Sequence, residues 1–158
     1  MFRNMVRFKQ KLSQEECLDI LKKEPRGVLA VLGDEDYPYA LPLSHWYCKE
    51  DGKLYFHGAK AGHKIDAIKK HDKVSFCVCD QGYRKEGEWA LNIKSVIVFG
   101  RMKIVEDHEK ALEVCRQLGL KFTSDEEYIE HELKYSGPGV LCLELTPEHI
   151  TGKLVNES

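Results

Sequence analysis

The sequence predicts a mainly β domain, a six-stranded antiparallel barrel with peripheral helices, and three observations carry that expectation. Short apolar or alternating runs bounded by Gly, Pro and Asp recur along the chain, as strands do. Helical spacing is confined to the start, one short crossover and a stretch near the end, so the strand-helix alternation of a doubly wound fold is missing. Gly100 interrupts a long apolar run and predicts a bulge or sharp bend, which favours a barrel over a flat sheet. The length of 158 residues suits one domain, residues 1–158, with a core that needs neither disulfides nor a structural metal.

A helix is expected over residues 13–24, because Ser13 and Glu16 form a capping box, Leu12 and Cys17 take the staple positions, and Pro25 and Gly27 end it. Val28-Leu29-Ala30-Val31-Leu32 reads as a short buried strand with its turn at 33–36. Residues 37–48 form one long, irregular strand, since Pro38 and Pro42 each remove a backbone donor. With 53–57 following a turn, residues 26–58 become a three-stranded meander. A two-turn helix covers 63–71, the alternating run 74–79 is a fourth strand, and a polar loop leads to a fifth at 95–105. Asp107 caps a helix to Leu118, Ser124 and Glu127 form a second capping box for a helix to Lys134, and 140–145 is the closing strand.

Twenty-four Lys and Arg against 26 Asp and Glu give a formal charge of -2, too balanced for electrostatic nucleic-acid binding. No apolar run approaches the ~20 residues of a membrane span. Charges at Arg3, Arg7 and Lys9 interrupt any secretory signal, so a cytoplasmic protein with free thiols is expected. Cys77-x-Cys79 without a second pair is not zinc spacing, and no oxyanion motif accompanies Cys48 with His45 or His57.

Two segments could carry chemistry. In Tyr55-Phe56-His57-Gly58-Ala59-Lys60-Ala61-Gly62-His63-Lys64 a strand ends, two glycines allow close approach, and a cation stands at a helix start, which together describe an anion site. It is no P-loop, because the glycines are one residue too close and Ile65 stands where magnesium needs a hydroxyl. A solvated loop with three basic residues explains it equally well. In Tyr39-Ala40-Leu41-Pro42-Leu43-Ser44-His45-Trp46-Tyr47, Pro42 frees backbone groups to face a ligand, although an ordinary edge strand would look the same.

The order of these pieces resembles the FMN-binding split barrel of the pyridoxamine 5'-phosphate oxidase-like superfamily, and within it the nitroimidazole-reductase branch. The matching residues are Gly27-Val28-Leu29-Ala30, Tyr37-Pro38-Tyr39 with Leu41-Pro42-Leu43-Ser44, Tyr55 to Ala59 with Gly62 and Lys64, Ser95 to Arg101, and Gly152-Lys153. The resemblance implies FMN as cofactor, with Leu41, Pro42, Leu43 and Ser44 along the isoalloxazine ring and Phe56 and His57 beside it. His63 and Lys64 match a basic pair at the phosphate, and Ser95 corresponds to a contact from the other subunit. It further implies a homodimer that passes electrons, from NAD(P)H as one donor, to a small acceptor such as a 5-nitroimidazole. His57 is then the candidate catalytic proton donor, or a group that only hydrogen-bonds the cofactor. Residues 146–158 lack the Trp and Arg that hold pyridoxal in the oxidases, which argues against that substrate. Binding FMN or haem without turnover, or a dimer that has lost its ligand, are the alternatives.

Overall fold

The computed structural model describes residues 1–158. The first helix, α1 (Gln14–Lys23), starts as its sequence dictates: Ser13 Oγ accepts the Glu16 N–H at 3.1 Å, and the Glu16 carboxylate accepts the Ser13 N–H at 2.9 Å. Leu12, Cys17, Ile20 and Leu21 are buried, so this face joins the barrel core.

The strands are β1 (Arg26–Leu32), β2 (Pro38–Ser44), β3 (Trp46–Cys48), β4 (Lys53–Gly58), β5 (Lys73–Cys79), β6 (Leu91–Ile104) and β7 (Leu141–Glu157). They form one antiparallel sheet in the order β2-β1-β5-β6-β7-β4-β3. Only His45 separates β2 from β3, yet these strands lie at opposite ends of that order. The sheet must therefore curl until its edges meet, and the chain itself closes the barrel.

There are seven strands rather than six because the long strand divides at His45. Its ring turns into the core, where Nε2–H donates to the Leu21 carbonyl at 2.7 Å. Its own carbonyl accepts from Lys121 Nζ at 2.7 Å, so neither group serves a ladder. The three-stranded meander expected over residues 26–58 is corrected for the same reason: β2 pairs with β1, β3 pairs with β4, and the two pairs stand at opposite ends of the strand order.

The register of β6 against β7 shifts between Phe99 and Gly100, which face His149 and Pro147. Glu148 is the extra residue. A Cβ on Gly100 would run into the Thr146 carbonyl, so the two long strands can cross this closely only at glycine. This bulge is where Gly100 predicted it. Two strands outrun their expected limits: β6 begins at Leu91, and β7 continues to Glu157 because Pro147 sits at the bulge and Gly152 lets Cys17 of α1 pack against the strand.

The other helices are α2 (His63–Lys70), α3 (His108–Leu120) and α4 (Glu126–Ser136). Asp107 caps α3 by accepting the Lys110 N–H at 3.2 Å. The cap of α4 is Asp125 rather than Ser124: its carboxylate accepts the Tyr128 N–H at 2.9 Å and adds a negative charge at the helix start. The main core, with Leu29, Phe56, Phe76, Val98 and Leu145, fills the barrel. A smaller one, with Tyr55 and Cys142 under Val114 and Leu118 of α3, covers the outside of β4 and β7. No helix is long and apolar enough to cross a membrane, and all six cysteines are free.

Candidate functional site

The ladder partners of β3 on β4 stop at Tyr55, whereas β4 continues to Gly58. On the side away from β7, residues 56–58 therefore have no strand partner. β2 pairs only with β1, and its outer edge contains Pro42, which has no N–H to leave unpaired. Two bare strand edges thus lie near one another at the His45 bend, with main-chain groups available to a ligand.

Beyond the end of β4, Gly62 has φ +129° and opens α2. The amides of Ile65 and Asp66 both donate to the Gly62 carbonyl, so His63 and Lys64 carry the N–H groups that a helix start leaves over. Lys64 is half-buried and folds back over Gly58, where a Cβ would stand 3.1 Å from its Nζ. Its neighbours His63 and Lys70 lie against Asp34, but Lys64 has no carboxylate partner. A half-buried ammonium without a carboxylate partner, beside free amides and a side-chain-free strand end, is an arrangement suited to an anion.

His63 is placed differently from Lys64. Its ring stacks on Tyr39 with centroids 4.2 Å apart, and Nε2 accepts the Asp34 N–H at 3.1 Å. Nε2 therefore carries no proton, and the Asp34 carboxylate 3.7 Å away is not paired with an imidazolium. Nδ1–H is the donor that His63 has left. Lys60 does not join the cluster its sequence position suggests, because its Nζ donates to the Pro138 carbonyl at 3.3 Å.

Ser44 and His57, from different strands, share a cavity of about 450 Å³ roofed by α3 and α4. Phe122, Tyr128 and Leu133 give it an apolar lining, Glu132 is its one acidic group, and Cys115 forms part of the wall. The His57 ring remains partly open to solvent, yet the surrounding protein strips enough water to push its pKa below the usual imidazole value, and the Lys64 charge adds to this. It is neutral at pH 7. Phe56 points the other way: its side chain is fully buried and packs edge-on against Phe76 at 5.0 Å, leaving only its backbone near the site.

Leu41 and Leu43 pack their side chains toward the barrel core, while Pro42 is exposed on the outer side. Ser95 stands apart, paired with Cys79 and Lys153 on a different part of the sheet. One chain thus brings together the β2 edge, His57 and Lys64, but not Ser95. Sequence reasoning missed the helical roof, for which the available signal was Phe122 and Tyr128, large aromatics in a segment otherwise rich in Glu and Lys.

It also missed Lys121. This side chain donates to the carbonyls of Glu24 and His45, both at 2.7 Å, and joins the end of α1 to the bend after Ser44. Burial lowers its pKa to about 8. Cys48 and His45 form no catalytic pair, since Cys48 Sγ donates to Glu50 and the His45 ring is committed to Leu21.

Solved structures with the same fold include a candidate 5-nitroimidazole antibiotic resistance protein from Bacteroides thetaiotaomicron, with TM-score 0.74, 16% identity, and coverage of 92% of this chain and 87% of that one. The flavocytochrome Anf3 from Azotobacter vinelandii has TM-score 0.78, 19% identity, and coverage of 96% and 72%. An FAD-binding protein from Mycobacterium smegmatis has TM-score 0.67, 21% identity, and coverage of 94% and 99%. No curated protein matches the sequence. The family model described as pyridoxamine 5'-phosphate oxidase matches residues 13–154, and with that match over a curled antiparallel split barrel the chain belongs to the pyridoxamine 5'-phosphate oxidase family.

Proposed function

We propose that the protein is an FMN-dependent oxidoreductase that reduces a small, electron-poor acceptor such as a 5-nitroimidazole. The observation that carries this reading is the half-buried, unpaired Lys64 over Gly58 at the start of α2, one strand end away from the cavity shared by His57 and Ser44. The residues fit the cofactor at both ends: Lys64, the free α2 amides and the His63 Nδ1–H hold a phosphate, and the bare β2 edge from Leu41 to Ser44 offers backbone groups to the ring. A bound flavin supplies the electron transfer itself. The chain binds and orients it, and the roofed cavity receives the acceptor and limits water. Its volume of about 450 Å³ suits a small aromatic molecule. A nicotinamide nucleotide is the proposed donor and the cytoplasm the proposed compartment.

The functional unit in this reading is a homodimer. On the outer sheet face, Pro42, Val28, Cys77, Ile97 and Thr151 stand in register across five strands. Val28, Leu32 and Phe99 are exposed by about two fifths each, an unusual load of apolar surface for a sheet already filled on its inner side. Ser95 lies on the same strand face as Ile97, so a second copy seated here brings Ser95 of the partner subunit toward the bare edges.

The lowered pKa of His57 supports a second reading, binding of FMN or haem without turnover, because a neutral imidazole is a poor proton donor at pH 7. Stopped-flow mixing of the dithionite-reduced holoprotein with 5-nitroimidazoles separates the two. The enzyme reading expects oxidation faster than that of free reduced FMN at equal concentration. Equal or slower oxidation would leave a binding protein, and a Soret band in the purified protein would make haem its ligand.

A further inference from the structure

We propose that Cys115 and Cys142 form a peroxide-oxidisable dithiol in the wall of the cavity beside His57. Their Sγ atoms are 3.7 Å apart, one on α3 and the other on β7. Cys142 is fully buried, whereas Cys115 lines the cavity and is only partly covered. Cys142 is also the cross-strand partner of His57, and such partners on one face lie ~5 Å apart at Cβ. The pair therefore sits where α3 packs on the barrel wall beside the cavity.

The two thiols are not equivalent. The Cys142 S–H faces both the Ala111 carbonyl at 3.4 Å and Cys115. A thiolate on Cys115 would accept that S–H, which lowers the Cys115 pKa, while the same contact and burial raise that of Cys142. The sulfur that small molecules reach is the one that ionises first. The other four cysteines lack this arrangement: Cys17 is buried in the main core, Cys48 shares the smaller cluster but donates its S–H to Glu50, and Cys77 and Cys79 lie on the outer sheet face.

An uncharged oxidant of the hydroperoxide class suits the cavity, since Glu132 disfavours anionic disulfides. The Cys115 thiolate attacks hydrogen peroxide, breaking O–O to give a sulfenic acid and hydroxide, which takes up the proton lost by the thiol. Cys142 then attacks that sulfur, its proton leaves with the departing hydroxide as water, and the S–S bond forms. In total two thiols are oxidised and one peroxide is reduced to two waters. The cross-link would tie the middle of α3 to β7 next to His57.

The test is a thiol count and a peptide map of the wild-type protein before and after mild hydrogen peroxide, alkylated under denaturing conditions. The expected count falls from six to four, with tryptic peptide 111–116 linked to 135–153, and dithiothreitol restores six. In Cys142→Ser the reaction stops at a sulfenic acid on Cys115, which dimedone captures. An unchanged count, or losses that map to Cys77 and Cys79 while Cys115 and Cys142 still alkylate, would overturn the assignment.

Discussion

Acid should weaken this fold through His45, the residue that bends one strand into two. Its ring has no solvent exposure, Nε2–H is held by the Leu21 carbonyl at 2.7 Å, and Nδ1 is buried without a partner. A second proton would have to go on Nδ1, placing a charge in the core near the Lys121 ammonium that binds the His45 carbonyl. Burial first, and Lys121 second, lower the pKa from 6.5 to about 4. The unfolded chain binds a proton below pH 6.5 that the folded chain refuses until about pH 4, so stability is fully present above 6.5 and falls as pH drops through this window. At 1.36 kcal/mol per pKa unit, the loss reaches about 3 kcal/mol. Urea unfolding of wild type and His45→Gln at matched ionic strength, from pH 7 to pH 4.5, isolates the effect. The amide can keep the bond to Leu21 but does not titrate. The variant is expected to be less stable at pH 7, yet its stability should fall with acid more shallowly, by up to about 1.4 kcal/mol per pH unit. Parallel slopes would refute the account of a neutral, buried His45.

Three further outcomes follow from the same geometry. Gly100→Ala should destabilise the protein by roughly 1 to 3 kcal/mol in chemical denaturation, because the added Cβ meets the Thr146 carbonyl at the bulge; wild-type stability would mean that the strands can part there. Lys64→Ala should weaken FMN binding roughly ten- to a hundredfold by fluorescence titration, the worth of one charged hydrogen bond. Unchanged affinity would remove Lys64 from the phosphate site. Val28→Glu, an exposed position in the outer row, should convert a dimer into monomers in sedimentation at micromolar concentration, and an unaffected dimer would locate the interface elsewhere.

Local rules made much of the barrel readable in advance. The capping box at Ser13 and the alternation of Val74, Phe76 and Val78 depend on neighbours a few residues away, and both elements lie where these patterns put them. The bulge at Gly100 was legible for the same reason. Elements set by distant partners were not. His45 breaks its strand because Leu21 and Lys121 compete for its ring and carbonyl, and nothing within ten residues announces this. The extension of β7 past Pro147 and Gly152 is stable only because β6 and α1 shape themselves to those residues.

The candidate site divides along the same line. Lys64 at the start of α2 and Pro42 on a bare edge are local features, and the structure leaves the first half-buried over Gly58 and the second exposed. The α3–α4 roof and the Cys115 to Cys142 approach depend on how helices dock after the sheet has closed. Lys60 shows the limit of reading charge from spacing alone, since three residues from His63 it turns to Pro138 instead.

The central claim is that this chain holds a phosphorylated flavin through Lys64 and the start of α2. Side-by-side titration of the apoprotein with FMN and riboflavin, followed by flavin fluorescence, tests it most directly, because the two ligands share the ring system and differ in the phosphate. One FMN per chain, bound at least roughly tenfold more tightly than riboflavin, is the predicted result. Equal affinity for both, or binding of neither by the folded protein, would contradict it.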